Sequence, residues 1–148
     1  MKERGVRSLG DLLASIALAS SGMLLLVMHV IGANPWYHPQ YFIPLAGMIV
    51  ASSMNALSLY AERLGSEREK HSFETARNRA FNASLIPQFN SFLAVGLVSL
   101  PGMMTGQILS GVSPMIAVRY QIVVMVMVLC TAGFSVVFYT FFTKNLRG

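Results

Sequence analysis

Four stretches of the chain stay apolar long enough to fill a bilayer, and short polar or proline-rich segments separate them. Leu12 to Ala33 and Tyr41 to Ala61 contain no Asp, Glu, Lys or Arg, although Asn55 and several serines make the second less greasy. Phe92 to Leu109 is also uncharged but carries Pro101-Gly102 in its middle, and Ile122 to Phe142 is Val, Met, Leu and Phe almost throughout. In hydrocarbon only a helix satisfies its own backbone hydrogen bonds, and about 20 apolar residues cross the layer. The pattern therefore predicts an all-α polytopic membrane protein in a single membrane domain, residues 1–148. It has about four transmembrane helices near 12–33, 41–61, 92–109 and 122–142, the third interrupted at Pro101-Gly102. Because Pro101 removes a backbone donor and Gly102 loosens the chain, the third segment also reads as a re-entrant pair of half-helices.

The intervening segments differ in kind. Asn34 to Gln40 holds two prolines that stop helix and an aromatic pair, Trp36 and Tyr37, suited to a membrane interface. Ser110 to Pro114 is a short turn, and neither connection carries Lys or Arg. The loop at about 62–85 is the one strongly polar stretch, and its Glu, Arg and Lys at helical spacing suggest a solvated helix or helical pair continuing from the second segment.

Charge then orients the bundle. Ten of the eleven basic residues lie at the N-terminus (Lys2, Arg4, Arg7), in the loop (Arg63, Arg68, Lys70, Arg77, Arg79) or at the C-terminus (Lys144, Arg147). Only Arg119 stands apart. The positive-inside rule puts all three groups in the cytoplasm, so both termini are expected inside and the number of spans even. A cleaved signal peptide at the N-terminus is the competing reading, but the apolar run is longer than an ordinary signal core and three more such runs follow.

Composition agrees: 54% of the 148 residues are hydrophobic and 11% charged, against about 25% charged in soluble domains. The net charge of +5 does not mark a nucleic-acid surface, because Glu62, Glu67, Glu69 and Glu74 interleave the basic cluster. A single cysteine, Cys130, permits no disulfide or Cys-based metal site within one chain. His29, His38 and His71 are far apart in sequence and read as isolated polar residues, since a metal needs several converging ligands. No phosphate loop and no Ser-His-Asp arrangement can be found, so no enzyme and no cofactor is expected. Asn82-Ala83-Ser84 fits a glycosylation pattern but falls among the basic residues placed inside.

Within the spans, Gly102 and Gly106 share a helix face and would let another helix approach closely, a habit that Gly96 and Gly111 extend. That contact could lie within one protomer, at a dimer seam, or along a pathway. Met103 and Met104 offer soft thioether sulfur, which favours Cu(I) over ferric iron, although methionine more often fills core gaps. The costly intramembrane polar residues are Asn55, Gln88, Asn90, Gln107, Arg119 and Gln121, which either bridge helices or line a polar route.

The run Gly96-Leu97-Val98-Ser99-Leu100-Pro101-Gly102-Met103-Met104-Thr105-Gly106-Gln107-Ile108-Leu109-Ser110-Gly111 resembles a signature of the FetB-type permeases. These are membrane subunits of a bacterial ABC system linked to iron export, with plant relatives tied to aluminium tolerance. Ile43 to Ile49, Leu85-Ile86-Pro87 and Arg119-Tyr120-Gln121-Ile122 agree with that family in order and spacing, so the likeness runs over about residues 11–143. The resemblance implies a permease subunit in the bacterial inner membrane that exports a metal, iron first, with ATP hydrolysed by a separate cytoplasmic ABC ATPase. It further implies a polar pathway through Asn55, Gln107 and the Pro101-Gly102 region, with Arg119 and Gln121 nearby. The docking surface for the ATPase falls on Arg63, Glu67, Arg68, Arg77 and Arg79. Two departures stand out: the family has further helices before the first segment here, and its loop carries a Leu-Gly-Ala element that this shorter loop lacks. They point to a truncated or split permease, surrounded by lipid, that forms a homodimer or pairs with a missing N-terminal half. The alternative is a remnant that packs helices but transports nothing.

Overall fold

The computed structural model describes residues 2–31, 37, 39–97 and 101–145 and, within them, the side chains of all but 2–9, 40, 96–97 and 144–145. These residues form five α-helices: α1 Lys2–Ile31, α2 Pro39–Arg68, α3 Phe73–Leu97, α4 Gly102–Leu109 and α5 Pro114–Asn145. Three stretches, Gly10–Ile31, Tyr41–Arg68 and Pro114–Thr143, are long and apolar enough to cross a membrane.

Two buried clusters show how the helices run. At one end Val27 and Met28 of α1 meet Leu45 and Ile49 of α2 and Val124 and Met127 of α5. At the other end Ala56, Leu57 and Tyr60 of α2 meet Ala80 of α3 and Ala132 and Val136 of α5, with Leu12 and Ile16 of α1 alongside. So α1 and α3 run one way and α2 and α5 the other. The start of α1, the α2–α3 turn and the end of α5 gather at the same end of the bundle. Helix α5 touches all four others, whereas α1 and α3 lie on opposite sides of the α2–α5 pair.

The third apolar segment is interrupted as its proline and glycine predict. Pro101 caps the N-terminus of α4 with extended backbone (φ −60°, ψ 140°), a position where its missing N–H leaves nothing unpaired. Among the described residues the helix before it, α3, is not one of the stretches long and apolar enough to cross a membrane. Helix α3 starts at Phe73, inside the stretch the charge pattern assigns to the loop, and its 25 residues reach roughly 37 Å at 1.5 Å per residue. What hydropathy misses is a stripe of small residues: Ala76, Ala80 and Ser84 are fully buried at four-residue spacing, with Gln88 one turn on. Small side chains let α3 approach α2 closely, and dispersion contacts then replace the hydrophobic drive that lipid removes.

The connections are set by local chemistry. Ser72 precedes α3, accepts the Ala76 amide at its carbonyl (2.9 Å) and pairs its hydroxyl with Thr75 (3.1 Å). Glu74 lies in the first turn, where the helix dipole favours an acid. After α4 the amides of Gly111 and Val112 bond the carbonyls of Ile108 and Gln107, both at 3.0 Å, which is a Schellman ending. Gly111 has φ +92°, so glycine is needed there for backbone conformation. Pro114 then opens α5 in the position proline favours.

Hydroxyls join the long helices. Ser52 Oγ donates to the Val128 carbonyl at 3.0 Å, linking α2 to α5. The Thr140 hydroxyl reaches both the Tyr60 hydroxyl, at 2.9 Å, and the Val136 carbonyl, at 2.8 Å. Tyr60→Phe leaves Thr140 still bonded to Val136, so the expected loss is only about 0.5–1 kcal/mol. A thermal melt in detergent should show a small downward shift, and a collapse of the bundle would contradict this account.

Candidate functional site

Two features concentrate chemistry: a groove along α2, α3 and α5, and a charged knot at the α2–α3 turn. The groove consists of two adjoining cavities. The first, of 610 Å³, is lined by α2 (Met48, Ser52, Asn55, Ser58), α3 (Pro87, Gln88, Ser91) and Val128 of α5, among others. The second, of 200 Å³, shares Met48, Gln88, Ser91 and Val128 and continues past Pro101, Gly102 and Met103 to Gln121 and Met125. Its walls are amides, hydroxyls, thioethers and aliphatic groups. Among the described residues no charged side chain lines either cavity.

The α3 wall owes its shape partly to Pro87, which lacks the N–H that would bond the carbonyl four residues back. One turn on, Ser91 Oγ donates to the Pro87 carbonyl at 2.9 Å. Gln121 has its Oε1 buried with no hydrogen-bond partner among the described residues. A buried amide oxygen without a donor is costly, which sets Gln121 apart among the groove's residues. Among the described residues no cluster of three or more His, Cys, Asp or Glu exists.

The groove collects some of the sequence candidates and leaves others out. Asn55, Pro101, Gly102, Met103 and Gln121 line it together. Met104 is half-buried outside these two cavities, and Arg119 is exposed. Gln107 is half-buried with its Oε1 unpartnered among the described residues, but it lines neither cavity. Among the described residues no atom lies within 4 Å of where a Cβ of Gly102 or Gly106 would sit, so none of them makes the close approach that the spacing allows. Gly111 serves the helix ending, and the surroundings of Gly96 lie outside the described side chains. Met48, Ser52, Ser58, Ser91 and Met125 complete the walls without having been singled out. Serines and methionines are common filler in membrane helices, and only the convergence of three helices distinguishes these.

At the turn, Glu67 is buried and holds two arginines: Arg63 at 3.0 Å and Arg79 at 3.2 Å. Arg79 Nη1 also contacts His71 Nε2 at 2.8 Å. A guanidinium only donates, so Nε2 accepts there, and its 3.6 Å approach to Glu67 is no hydrogen bond. The Arg68 guanidinium lies 5.2 Å from the centre of the Phe73 ring, closing the turn by a cation–π contact. Of the five residues expected to form a docking surface, Arg63, Glu67, Arg68 and Arg79 are together. Arg77 points elsewhere, into a separate pocket beside Tyr60 and Phe141.

Apolar helices packed through small residues, with an open groove along α2, α3 and α5, define a polytopic α-helical membrane protein. Comparison with known proteins agrees: the model of the uncharacterised protein family UPF0014 matches residues 1–74 and 65–146, the break falling on the α2–α3 hairpin. The chain belongs to this family. It is 44% identical to a UPF0014 membrane protein of Synechocystis, covering 84% of this chain and 53% of the relative. It is 34% identical to the probable iron export permease protein FetB of Escherichia coli, covering 86% and 56% respectively. To the protein ALUMINUM SENSITIVE 3 of Arabidopsis thaliana it is also 34% identical, covering 86% and 54%. The chain spans about half the length of the curated relatives it matches. No solved structure matches it.

Proposed function

We propose that the chain is a permease subunit of an ABC-type system that moves a metal ion or metal complex, iron first, out across the bacterial inner membrane. The observation that carries this reading is the groove. A polar seam bearing Asn55, Gln88 and Gln121 runs along helices that otherwise face one another through apolar and small side chains. Intramembrane polar groups are costly enough that a continuous set of them marks a route for solute. The relative named as a probable iron export permease supplies the cargo class.

The groove carries no anionic ligand, so a metal passing along it keeps part of its own ligand shell and is guided by neutral oxygens and thioethers. Helices α1, α2, α3 and α5 make the crossings, with both chain ends and the α2–α3 turn in the cytoplasm, as the basic residues favour. The turn is a rigid charged knob at the end of two packed helices, and it offers Arg63, Arg68 and Arg79 to a separate ATPase. The open face at Gly102 and Gly106 is available to a second copy or a partner half.

The test is ATP-dependent metal uptake into inverted membrane vesicles containing this chain and a candidate ABC ATPase subunit. Accumulation of Fe²⁺ is expected, and the double variant Asn55→Leu, Gln121→Leu should lower its rate about tenfold through loss of polar contacts. No ATP-dependent uptake, together with no co-purification of the ATPase, would favour the non-transporting remnant.

A further inference from the structure

Arg77 is a cation that the hairpin knot leaves over. It is half-buried on α3 and has no ion-pair partner among the described residues, its one close contact being the Asn78 Oδ1 of its own helix at 3.4 Å. It lines a pocket of 370 Å³ with Tyr60, Asn78 and Phe81 on one side and Val137, Thr140 and Phe141 of α5 on the other. A half-buried guanidinium without a counter-charge is unfavourable unless an anion visits it.

The pocket's level and its walls identify that anion. Tyr60 sits in the last apolar turn of α2 before Glu62, and Phe141 in the last apolar turn of α5 before Lys144, so the pocket opens at the depth of lipid headgroups. Val137 and Phe141 are half or more exposed, at 50% and 61%, on the outward side of α5, where acyl chains lie. A soluble phosphate needs no such wall. A planar guanidinium matches a phosphate diester in two parallel hydrogen bonds, and the adjacent Asn78 amide adds a further donor.

We propose that this pocket is a binding site for an anionic phospholipid, its phosphate held by Arg77 and Asn78 and its acyl chain lying along Phe81, Val137 and Phe141. The lipid bridges α3 and α5 just beneath the charged turn and supplies the negative charge that none of the described residues provides. This assignment is independent of what, if anything, the groove transports.

The experiment uses the full chain in detergent, titrated with phosphatidylglycerol or phosphatidylcholine, with bound lipid read by native mass spectrometry and the melting temperature followed in parallel. Phosphatidylglycerol is expected to bind saturably, about fivefold to tenfold more tightly than phosphatidylcholine, and to raise the melting temperature. Arg77→Gln should bring the two lipids level, while Arg119→Gln, at the far end of α5, should leave the preference intact. Should Arg77→Gln fail to fold, Arg77→Lys carries the test: an intermediate preference supports the site and a wild-type preference overturns it. Equal binding of the two lipids by the wild type, an equal loss in Arg119→Gln, or competition by glycerol phosphate as strong as that by the lipid would each overturn it.

Discussion

Glu67→Ala is expected to destabilise the α2–α3 hairpin by about 1–3 kcal/mol, several times the effect of removing either of its arginine partners. The asymmetry follows from burial. The Glu67 side chain is 8% exposed, whereas those of Arg63 and Arg79 are 55% and 53% exposed. Losing one arginine returns a mostly hydrated group to water and leaves the carboxylate its other partner. Losing the carboxylate removes the only acid facing two cations, which then repel one another across the turn. Arg63→Ala and Arg79→Ala should each cost no more than about 1 kcal/mol, in keeping with exposed ion pairs. Limited proteolysis at residues 69–72, with thermal melts in detergent, separates the variants. Equal protection of Glu67→Ala and Arg63→Ala would show that the knot does not hold the turn. If the turn is also where an ATPase sits, co-purification should fall with the hairpin's order, even though Glu67 is too buried to touch a partner.

The second large effect is expected where helices meet through small side chains. Ala80 is fully buried and packs with Ala56, Leu57 and Tyr60 of α2 and Ala132 and Val136 of α5. Ala80→Leu adds three carbons where three helices converge on a fully buried position. The expected cost is about 1–3 kcal/mol, or separation of α3 from the α2–α5 pair. Leu93→Ala, on the same helix but 62% exposed, should be nearly neutral, because lipid solvates either residue. Melting of both variants in detergent, with cross-linking between cysteines placed on α2 and α3, reads out the difference. A Leu93→Ala loss as large as that of Ala80→Leu would mean that the exposed face of α3 is an interface. That result would bear on the permease proposal, because a second copy or partner half would then pack on α3.

The groove shows why sequence candidates scatter when they are chosen by residue type. Asn55 and Gln121 are conspicuous because amides in apolar runs are expensive, and both line the groove. Gln107 is equally conspicuous by that argument, yet it faces away from both cavities. Neighbouring positions on a helix differ by about 100°, so residue type alone does not say which face meets the pathway. The same limit separates Met103 from Met104. Arg77 and Arg79, both basic and two residues apart, go to different places: Arg79 to Glu67, Arg77 to the pocket beside Phe141.

The amino-acid pattern by itself determined the solvent of this protein, its helical class and the gathering of basic residues into three groups. Hydropathy and charge sum along the chain and need no partners to be read. It also located the break at Pro101-Gly102, because proline removes its hydrogen bond wherever it stands. Only the tertiary structure decided where α3 begins, which arginines pair and which side chains share the groove. Those outcomes depend on which helix faces meet. For α3 that was decided by buried Ala76, Ala80 and Ser84, whose small size matters only once another helix lies against them.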